Sequence, residues 1–494
     1  MKISNYTKYR ILEIIPGFFL WLTLILVFIL SFIKPMWMIY FIIAFDFYWM
    51  IRVIYFVSYL VHSWYRFKKD DKINWMDKVK AIKNWQRIYH VIFLPTYKDD
   101  IAILRSTLDA LCNSDYPVNK FMVVLAGEER DKENFIKNSN IIQKEYSHFF
   151  YKLIITLHPQ NLSDEIASKG SNINYAGHQV KKIIDELRIP YENIIVSSFD
   201  VDTCVYRQYF SYLTYKYLTH PDPTHTSYQP MALYNNNIWE SPSFTRVVAN
   251  STTFWLMSEL ARPERLFTFS SHSMSFKALV DVGFWQNDIV TEDSRIFLQC
   301  FYYYDGNYTV TPMYVPVSMD TAYSGGLWNT IKNLYKQQRR WAWGVEHFPY
   351  MIWHFAKAKK IPFSKKFKYL FNLTEGMYSW ASAPILIFVL GRLPLAMASQ
   401  EEKTSVIAQN APFVLEWLLF AAMIGILTSA ILNVLMLPAN PGKNKYFKIL
   451  VMFLQWILLP ITLIIFGSIP AIDAQTRLML GKYLGFYTTK KIRS

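Results

Sequence analysis

Long unbroken apolar runs stand at both ends of this chain, and shorter apolar runs separated by polar residues fill its middle. Two runs near the N-terminus (11–33 and 36–61) and three near the C-terminus (378–396, 413–437 and 449–469) are each long enough to cross a bilayer as a helix. No small-residue cleavage site follows the first run, and a second run comes directly after it. The pair is therefore predicted to form a transmembrane hairpin rather than a signal peptide, and five crossings are expected.

The middle of the chain alternates short patterns typical of buried strands with patterns typical of helices. The predicted strands are 90–95, 121–126, 153–157 and 193–199, and the predicted helices are 101–111 and 176–187. This alternation predicts an α/β fold with a doubly wound, mainly parallel sheet. Ligands of such sheets bind beyond the carboxyl ends of the strands.

These patterns divide the chain into five predicted segments. They are a transmembrane hairpin (1–65), a soluble α/β domain (66–345), an interfacial amphipathic segment (346–376), C-terminal transmembrane helices (377–472) and a basic tail (473–494).

The basic tail conflicts with five straight crossings, which would place it on the side opposite the soluble domain. It carries Arg477, Lys482, Lys490, Lys491 and Arg493, and positive charge favours the cytoplasmic side. A re-entrant last segment, bent near its central proline at position 460, would remove the conflict. The sequence leaves both topologies open.

Composition and charge agree with a membrane protein. Of 494 residues, 52% are hydrophobic, 17% aromatic and 18% charged, which excludes disorder and a coiled coil. Three separated cysteines without a C-x-x-C pair exclude a disulfide scaffold and a thiolate zinc site. The net charge is +15, and a basic stretch begins the soluble domain. We therefore expect this domain at the cytoplasmic face of the cell membrane. Its positive charge is expected to interact with the lipid bilayer and not with nucleic acid.

An acidic pair, Asp200 and Asp202, follows the last predicted strand of the soluble domain. Two carboxylates at i and i+2 on a turn can face one point. Together with the oxygens of a diphosphate they would complete the shell that Mg²⁺ or Mn²⁺ prefers. The alternative interpretation is a solvated turn.

A second acidic cluster is Thr291-Glu292-Asp293. A carboxylate near a sugar hydroxyl can act as a general base, and a neighbouring glutamate can shift its pKa. The alternative is an ordinary acidic helix start that is capped by Thr291.

A third cluster joins Gln337, Arg340 and Trp341 within a basic, aromatic stretch. An arginine can neutralise a diphosphate, and a tryptophan face can stack on a sugar ring. The alternative is an interfacial helix whose Arg and Trp lie at the level of the lipid headgroups. Both can hold together, because a helix on the membrane can present one face to an active site.

The order D-x-D, T-E-D and Q-x-x-R-W, enclosed by membrane helices, resembles the membrane-integrated family 2 glycosyltransferases. Cellulose and hyaluronan synthases are the best-known processive members of that family. The resemblance implies a GT-A fold, a nucleotide-diphosphate sugar as donor (a UDP-sugar is expected), a divalent metal and inversion at the anomeric carbon.

The resemblance also assigns roles to individual residues. Donor binding falls to Pro95, Thr96, Tyr97, Glu128, Lys169 and Asp200, metal binding to Asp202, the general base to Asp293 beside Thr291 and Glu292, and the diphosphate and acceptor clamp to Gln337, Arg340 and Trp341. Lys169 lies in SKGSNIN, which is similar to the family's K-A-G-x-L-N. Gly170 and Ser171 replace the usual Ala and Gly, while Asn174 keeps the final Asn.

The tail resembles the gating loop F-x-V-T-x-K that folds over the nucleotide in processive synthases. The corresponding residues are Phe486, Thr489 and Lys491, with Thr488 in place of the valine. A basic loop closing over a diphosphate is physically reasonable. The alternative is an ordinary basic tail beside the membrane.

Several functions remain open at this point. The favoured one is a synthase that polymerises and exports a polysaccharide, and the rival enzyme transfers one sugar to a lipid carrier or glycolipid acceptor. A transporter or channel would need more ionisable groups within the spans. A pseudo-enzyme would bind the nucleotide sugar without turnover. The sequence names neither the sugar nor the linkage.

Overall fold

The structure of the protein is a computed structural model that describes residues 4–439 and 445–492 of the chain. Residues 1–3 of the predicted hairpin and Arg493 of the predicted basic tail lie outside the described residues.

A mixed sheet of eight strands forms the centre of the domain between the two groups of apolar helices. Its strands are β1 (Tyr89–Thr96), β2 (Phe121–Glu128), β3 (Lys152–His158), β4 (Ile194–Ser198), β5 (Cys204–Val205), β6 (Thr226–Tyr234), β7 (Ser273–Ser275) and β8 (Thr309–Met319). In the order β3-β2-β1-β4-β7-β6-β8-β5, the first four strands run parallel. β7 runs antiparallel to β4 and β6, and β5 runs antiparallel to β8.

The burial of these strands explains which of them the sequence predicts. Every residue of β2 is buried, and strands covered on both faces read as unbroken apolar runs. β5 has two residues and β7 has three, two of them serine, so neither carries a hydrophobic pattern. The α/β class and the first four strands are confirmed. The prediction of a mainly parallel sheet is wrong for the second half, which is mixed.

Helices cover both faces of the sheet and continue into the apolar segments. The N-terminal helices are α1 (Asn5–Ile33) and α2 (Pro35–Asp70). The helices of the middle domain are α3 (Trp75–Lys80), α4 (Ile101–Cys112), α5 (Lys132–Tyr146), α6 (Lys169–Leu187), α7 (Tyr209–Thr219), α8 (Ser243–Leu260), α9 (Phe276–Asp281), α10 (Glu292–Tyr303), α11 (Leu327–Ala342) and α12 (His347–Lys357). The C-terminal helices are α13 (Phe363–Ile385), α14 (Leu393–Met397), α15 (Gln400–Lys403), α16 (Val406–Met436), α17 (Lys445–Leu454), α18 (Leu459–Thr462) and α19 (Ile469–Met479).

Two helices begin earlier than the sequence pattern predicts. α6 begins at Lys169 instead of Ala176, because its first turns are polar and glycine-containing and lack the apolar period. The third apolar segment begins at Phe363, inside the range 346–376 that was predicted to be interfacial, so α12 is the part of that range that precedes the span.

Five helical segments of the described chain are long and apolar enough to cross a membrane, as predicted. They are Asn5–Ile33, Pro35–Asp70, Phe363–Met397, Val406–Met436 and Tyr446–Met479.

The last of these segments is interrupted and packs against the middle domain. A 3₁₀ turn separates α17 from the short helix α18, which contains Pro460. A π-helical stretch then separates α18 from α19. Arg246 of α8 donates to Gln455 at 2.9 Å, and Arg339 of α11 donates to Asp473 at 2.8 Å. Both parts of the segment therefore contact helices of the middle domain.

The tail after α19 returns to the middle domain without forming a helix or strand through Ile492. The backbone N–H of Ile492 donates to the carbonyl of Tyr323 at 3.1 Å. The tail and the middle domain therefore lie on the same side of the apolar segments.

Candidate active site

Acidic residues from distant parts of the chain meet around the ammonium of Lys169. Its Nζ lies 2.8 Å from Asp200 Oδ1, 3.0 Å from Asp293 Oδ1 and 3.8 Å from Glu292 Oε1. Asp200 lies on the turn that follows β4, closed by a hydrogen bond from the N–H of Thr203 to its carbonyl at 3.0 Å. Asp293 and Glu292 lie in the first turn of α10. The D-x-D and T-E-D clusters are thus brought together, with Lys169 between them.

The start of α6 holds Lys169 in this position. Ser168 and Ser171 form a capping box, which fixes the first turn. A Cβ at Gly170 would lie 3.0 Å from the Gln286 carbonyl and 3.0 Å from Cβ of Glu292. The glycine that replaces the family's usual alanine therefore lets α6 approach the start of α10 closely.

Asn174 also supports the close approach of α6 to the start of α10. Its Nδ2 donates to the carbonyl of Trp285 at 2.6 Å, on the segment that leads to α10. Lys169 and Asn174 therefore connect α6 to the T-E-D cluster and to the segment that precedes it.

Burial and the charges of neighbouring side chains shift the pKa values of Lys169, Asp200 and Glu292. Burial acts to lower the pKa of Lys169, but Asp200, Asp293 and Glu292 outweigh it and hold that pKa above its usual range. Burial acts to raise the pKa of Asp200, but Lys169 and then Lys491 hold it well below its usual range. Burial, followed by the neighbouring Asp293, raises the pKa of Glu292 to about 8. The ionised form of Asp200 is therefore favoured, whereas the protonated form of Glu292 is favoured.

Asp202 faces a different cation, the ammonium of Lys491 in the tail. Lys491 Nζ lies 2.7 Å from Asp202 Oδ2, and the same oxygen accepts the backbone N–H of Asp320 at 2.7 Å. The Asp202 side chain is 1% exposed. Burial acts to lower the pKa of Lys491, but Asp202, Asp200 and Asp320 overcome it and raise that pKa. A cation of the protein itself therefore occupies the position that the sequence assigns to a metal.

The residues around Asp202 fit a divalent metal only in part. Within residues 4–439 and 445–492, no group of three or more His, Cys, Asp or Glu side chains is arranged to hold a metal. Asp202 offers hard carboxylate oxygen, and its contact with Lys491 shows that positive charge is favoured there. A metal at Asp202 would need further oxygens from a diphosphate and the departure of Lys491.

The predicted donor-binding residues form a second group at the carboxyl ends of β1 and β2. Arg130 lies 4.5 Å from the centre of the Tyr97 ring and donates from Nε to Glu128 Oε2 at 2.8 Å. Pro95 and Thr96 end β1 directly before Tyr97, and Thr96 is buried. Burial raises the pKa of Glu128 against the opposing effect of Arg130.

Asp99 links this group to the acidic cluster. Its Oδ2 accepts the N–H of Tyr97 at 2.9 Å. Burial raises its pKa to about 7, and the charge of Asp202 adds to this effect while the Tyr97 hydrogen bond opposes it. The residues at the carboxyl ends of β1 and β2 and the Asp202 position therefore adjoin.

The third cluster lies on α11 with one face toward the site. The Trp341 ring lies 6.0 Å from the ring of Tyr234, whose hydroxyl is close enough to Asp200, Asp202 and Asp293 for their charges to raise its pKa, although burial is the larger cause. Gln337, Trp341 and Tyr234 line a small cavity.

The opposite face of α11 meets the membrane segment. Arg339 and Tyr335 both donate to Asp473 of α19, at 2.8 and 3.0 Å. Both interpretations of this helix thus hold together, because one face reaches the site while the other packs on an apolar segment.

The residues predicted to gate the site are also brought to it. The Arg340 guanidinium lies 4.9 Å from the centre of the Phe486 ring, and Lys491 contacts Asp202. The hydroxyl of Thr489 is buried and has no hydrogen-bond partner. The tail therefore lies beside the acidic cluster, where a gating loop would be expected.

Thr291 does not cap α10, which corrects the expectation of a capped acidic helix start. Its backbone has φ −115° and ψ 46°, outside the extended region that a capping residue adopts, and no side-chain cap forms. Its hydroxyl donates instead to the Glu346 carboxylate, which also accepts from Trp343 Nε1 at 2.9 Å. This contact ties the T-E-D cluster to the segment that follows α11.

Sequence reasoning missed several polar residues of the site. Ser270 donates to Asp200 Oδ2 at 2.8 Å, and Asp320 contacts Asp202 through its backbone. Asp99 and Asp320 each follow a strand, which is the signal that pointed to Asp200 and could have found them. Ser270 and Tyr234 carry no comparable signal.

Comparison with known families identifies the class of protein. The family model described as glycosyl transferase family group 2 matches residues 195–469, more than half of the chain. The chain belongs to this family, and it is a glycosyltransferase with a fold of the expected GT-A type. No curated protein matches it by sequence.

Two solved structures illustrate the similarity at low identity. The mannosyltransferase PcManGT from Pyrobaculum calidifontis, in complex with GDP-Man and Mn²⁺, is 16% identical, with 78% of this chain and 99% of that chain covered and a TM-score of 0.42. S. aureus TarS 1–349, in complex with UDP-GlcNAc, is 10% identical, with 70% of this chain and 90% of that chain covered and a TM-score of 0.37.

Proposed function

We propose that this glycosyltransferase transfers a sugar, with inversion, from a nucleotide-diphosphate sugar to an acceptor hydroxyl at the cytoplasmic face of the cell membrane. The observation that carries the proposal is the meeting of Asp200, Asp293 and Lys169 within about one hydrogen-bond length, with the charge of Arg340 close enough to lower the pKa of Asp200. The donor is expected to be a UDP-sugar. A channel or transporter does not account for such a cluster outside the apolar segments.

The donor side of the site is cationic where the diphosphate would lie. The nucleoside would bind at Pro95, Thr96, Tyr97 and Glu128, with Asp200 toward the ribose. Arg340 would offer charge-assisted hydrogen bonds to phosphate oxygens, whereas the ammonium of Lys169 is already paired with Asp200 and Asp293. A divalent cation held by Asp202, Mg²⁺ or Mn²⁺, would when bound neutralise the negative charge of the departing diphosphate.

The acceptor side is defined by Asp293 and Trp341. The Asp293 side chain is 20% exposed, so an acceptor hydroxyl can reach it, and both of its oxygens accept from Lys169. Asp293 would take the proton as the hydroxyl attacks the anomeric carbon from the face opposite the diphosphate, which inverts that carbon. Trp341 and Gln337 would hold the acceptor sugar for in-line attack.

The position of α11 between the site and α19 supports a synthase that polymerises and exports its product. An acceptor that leaves Trp341 would pass directly to the apolar segments that α11 contacts through Arg339 and Asp473. Transfer of one sugar to a lipid carrier or glycolipid would use the same contacts only to meet its acceptor.

The test is a donor screen on the full-length protein in nanodiscs. UDP- and GDP-sugars with Mg²⁺ or Mn²⁺ are assayed for diphosphate release and for labelled product, and the product is sized. We expect turnover of one UDP-sugar, an inverted linkage and a polymer. A product that carries a single sugar and is extracted into organic solvent would contradict polymer synthesis and favour transfer to a lipid carrier or glycolipid. Diphosphate release from none of the donors would contradict the proposed transferase activity.

A further inference from the structure

The C-terminal tail is bound to the middle domain by a buried asparagine of α11. Asn333 is 3% exposed and uses its whole carboxamide. Its Nδ2 donates to the carbonyls of Lys490 at 2.8 Å and Ala322 at 3.0 Å. Its Oδ1 accepts from the N–H of Lys490 at 3.2 Å and from the hydroxyl of Tyr487 at 3.1 Å. Three of its four hydrogen bonds therefore hold the tail.

A second buried asparagine binds the tail on the other side of Lys491. Asn237 Nδ2 donates to the carbonyl of Ile492 at 3.0 Å, while its Oδ1 accepts from the N–H and hydroxyl of Thr321 at 2.8 and 2.9 Å. A Cβ at Gly325 would lie 2.8 Å from the Ile492 side chain, and Gly325 has φ +77°, so no other residue fits easily there. The backbone is held at residues 490 and 492, which directs the side chain between them.

That side chain delivers its charge to the carboxylate proposed to hold the metal. A metal ion bound by the Asp202 carboxylate would lie beside Lys491 Nζ, which is 2.7 Å from Oδ2, and this oxygen already accepts a second hydrogen bond from Asp320. An ammonium and a divalent cation sharing one buried carboxylate would repel each other strongly, since little water separates them. The docked tail and a bound metal are therefore incompatible at this position.

We propose that Asn333 and Asn237 dock the tail so that Lys491 serves as a resident cation on Asp202, and that a divalent metal must displace the tail to bind. This inference rests on the proposed function in placing the metal at Asp202. Asn333 and Asn237 are positioning residues that act through the tail. Docking keeps the acidic site neutralised until metal and donor arrive, and undocking frees Lys491 to pair with the phosphates.

Docking of the tail and binding of the divalent metal are linked thermodynamically. If the docked tail weakens metal binding by a given factor, the metal weakens docking by the same factor. Couplings of this kind are typically about 5- to 150-fold. Both sides can be measured on the full-length protein in nanodiscs without any donor sugar, so turnover is not needed.

The first measurement is Mn²⁺ affinity, obtained by electron paramagnetic resonance of the free ion. We expect N333L and K491M to bind Mn²⁺ at least about fivefold more tightly than the parent protein. K490M is the matched control, because Lys490 has an exposed side chain and contacts Asn333 only through its backbone. It removes the same charge, and its affinity should not change.

The second measurement is the mobility of the tail, reported by a fluorophore on a cysteine introduced at the exposed Thr488. Mg²⁺ should increase the mobility of the label in the parent protein, with a midpoint that matches Mg²⁺ binding. In K491M the label should already be mobile, and Mg²⁺ should add little.

The outcomes separate this inference from the proposed function. If D202N abolishes Mn²⁺ binding while N333L and K491M bind as the parent does, the metal site stands and the exclusion by the tail is overturned. If D202N binds Mn²⁺ normally, the metal assignment of the proposed function is itself wrong. Lys491 lies outside the helices and strands of the core, so K491M keeps the test falsifiable even if N333L fails to fold.

Discussion

Two lysines neutralise the acidic site from two different regions of the molecule. Lys169 comes from the core, at the capped start of α6, and its side chain is 7% exposed. Lys491 comes from a tail without helix or strand, and its side chain is 14% exposed. Lys169 holds Asp200 and Asp293, whereas Lys491 holds Asp202.

The difference between them is in what it costs to remove each lysine from its carboxylate. Moving Lys169 would require α6 to leave its close contact at Gly170. Moving Lys491 would require the tail, which has no helix or strand, to release its hydrogen bonds at Asn333 and Asn237 and the packing of Phe486. Segments without regular structure open at lower free energy than core helices. We call the Lys169 cluster with Asp200 and Asp293 the permanent half of the site, and the Asp202 position, which the proposed undocking would open, the exchangeable half.

The largest expected effect comes from removing the base in the permanent half. D293N should lower the rate of transfer by about 10²–10⁴-fold, since a general base contributes chiefly in the transition state. Donor affinity, measured by calorimetry with the nucleoside diphosphate, should change little. Near-normal transfer by this variant would mean that another group takes the proton.

The matched control is the neighbouring residue of the same helix turn. Burial and the neighbouring Asp293 raise the pKa of Glu292, which favours its neutral form, so E292Q should retain most of the activity. A loss as large as that of D293N would show that Glu292 acts as an ionised group.

The second effect compares the two lysines directly. K169M leaves the partly buried Asp200 and Asp293 beside each other without their cation, a change that should cost up to about 3–5 kcal/mol and lower the thermal midpoint by several degrees. K491M should cost less than about 1 kcal/mol, because the tail can detach and let water reach Asp202. Thermal unfolding of both variants in the same nanodiscs is the measurement. Equal losses would show that the tail is as firmly built in as α6.

The sequence predicted the permanent half better than the exchangeable half, and the reasons are physical. β1 and β2 are buried on both faces and read as apolar runs, and the motif order located Asp200 and Asp293. Asn333 and Asn237 had no signal, because an amide that binds a distant backbone segment leaves no local pattern.

The structure also explains one expectation that was wrong and one that the sequence left open. The capping role of Thr291 failed because its hydroxyl is taken by Glu346, a partner more than 50 residues away in the chain. The topology of the last segment could not be decided because its path depends on contacts with α8 and α11, such as those of Gln455 and Asp473.

The smallest expected effect concerns the link between the T-E-D cluster and the segment after α11. T291V removes the hydroxyl that donates to Glu346 while keeping the shape of the side chain, and the lost hydrogen bond should cost about 1–3 kcal/mol of stability because its acceptor is a carboxylate. Transfer should fall by less than about tenfold, since Lys169 still holds Asp293. E346Q keeps an acceptor for Thr291 and should lose less than T291V in both thermal midpoint and rate. If T291V instead lost as much activity as D293N with an unchanged thermal midpoint, Thr291 would have to contact the reacting groups itself, and the permanent half of the site would be larger than Lys169 and its carboxylates.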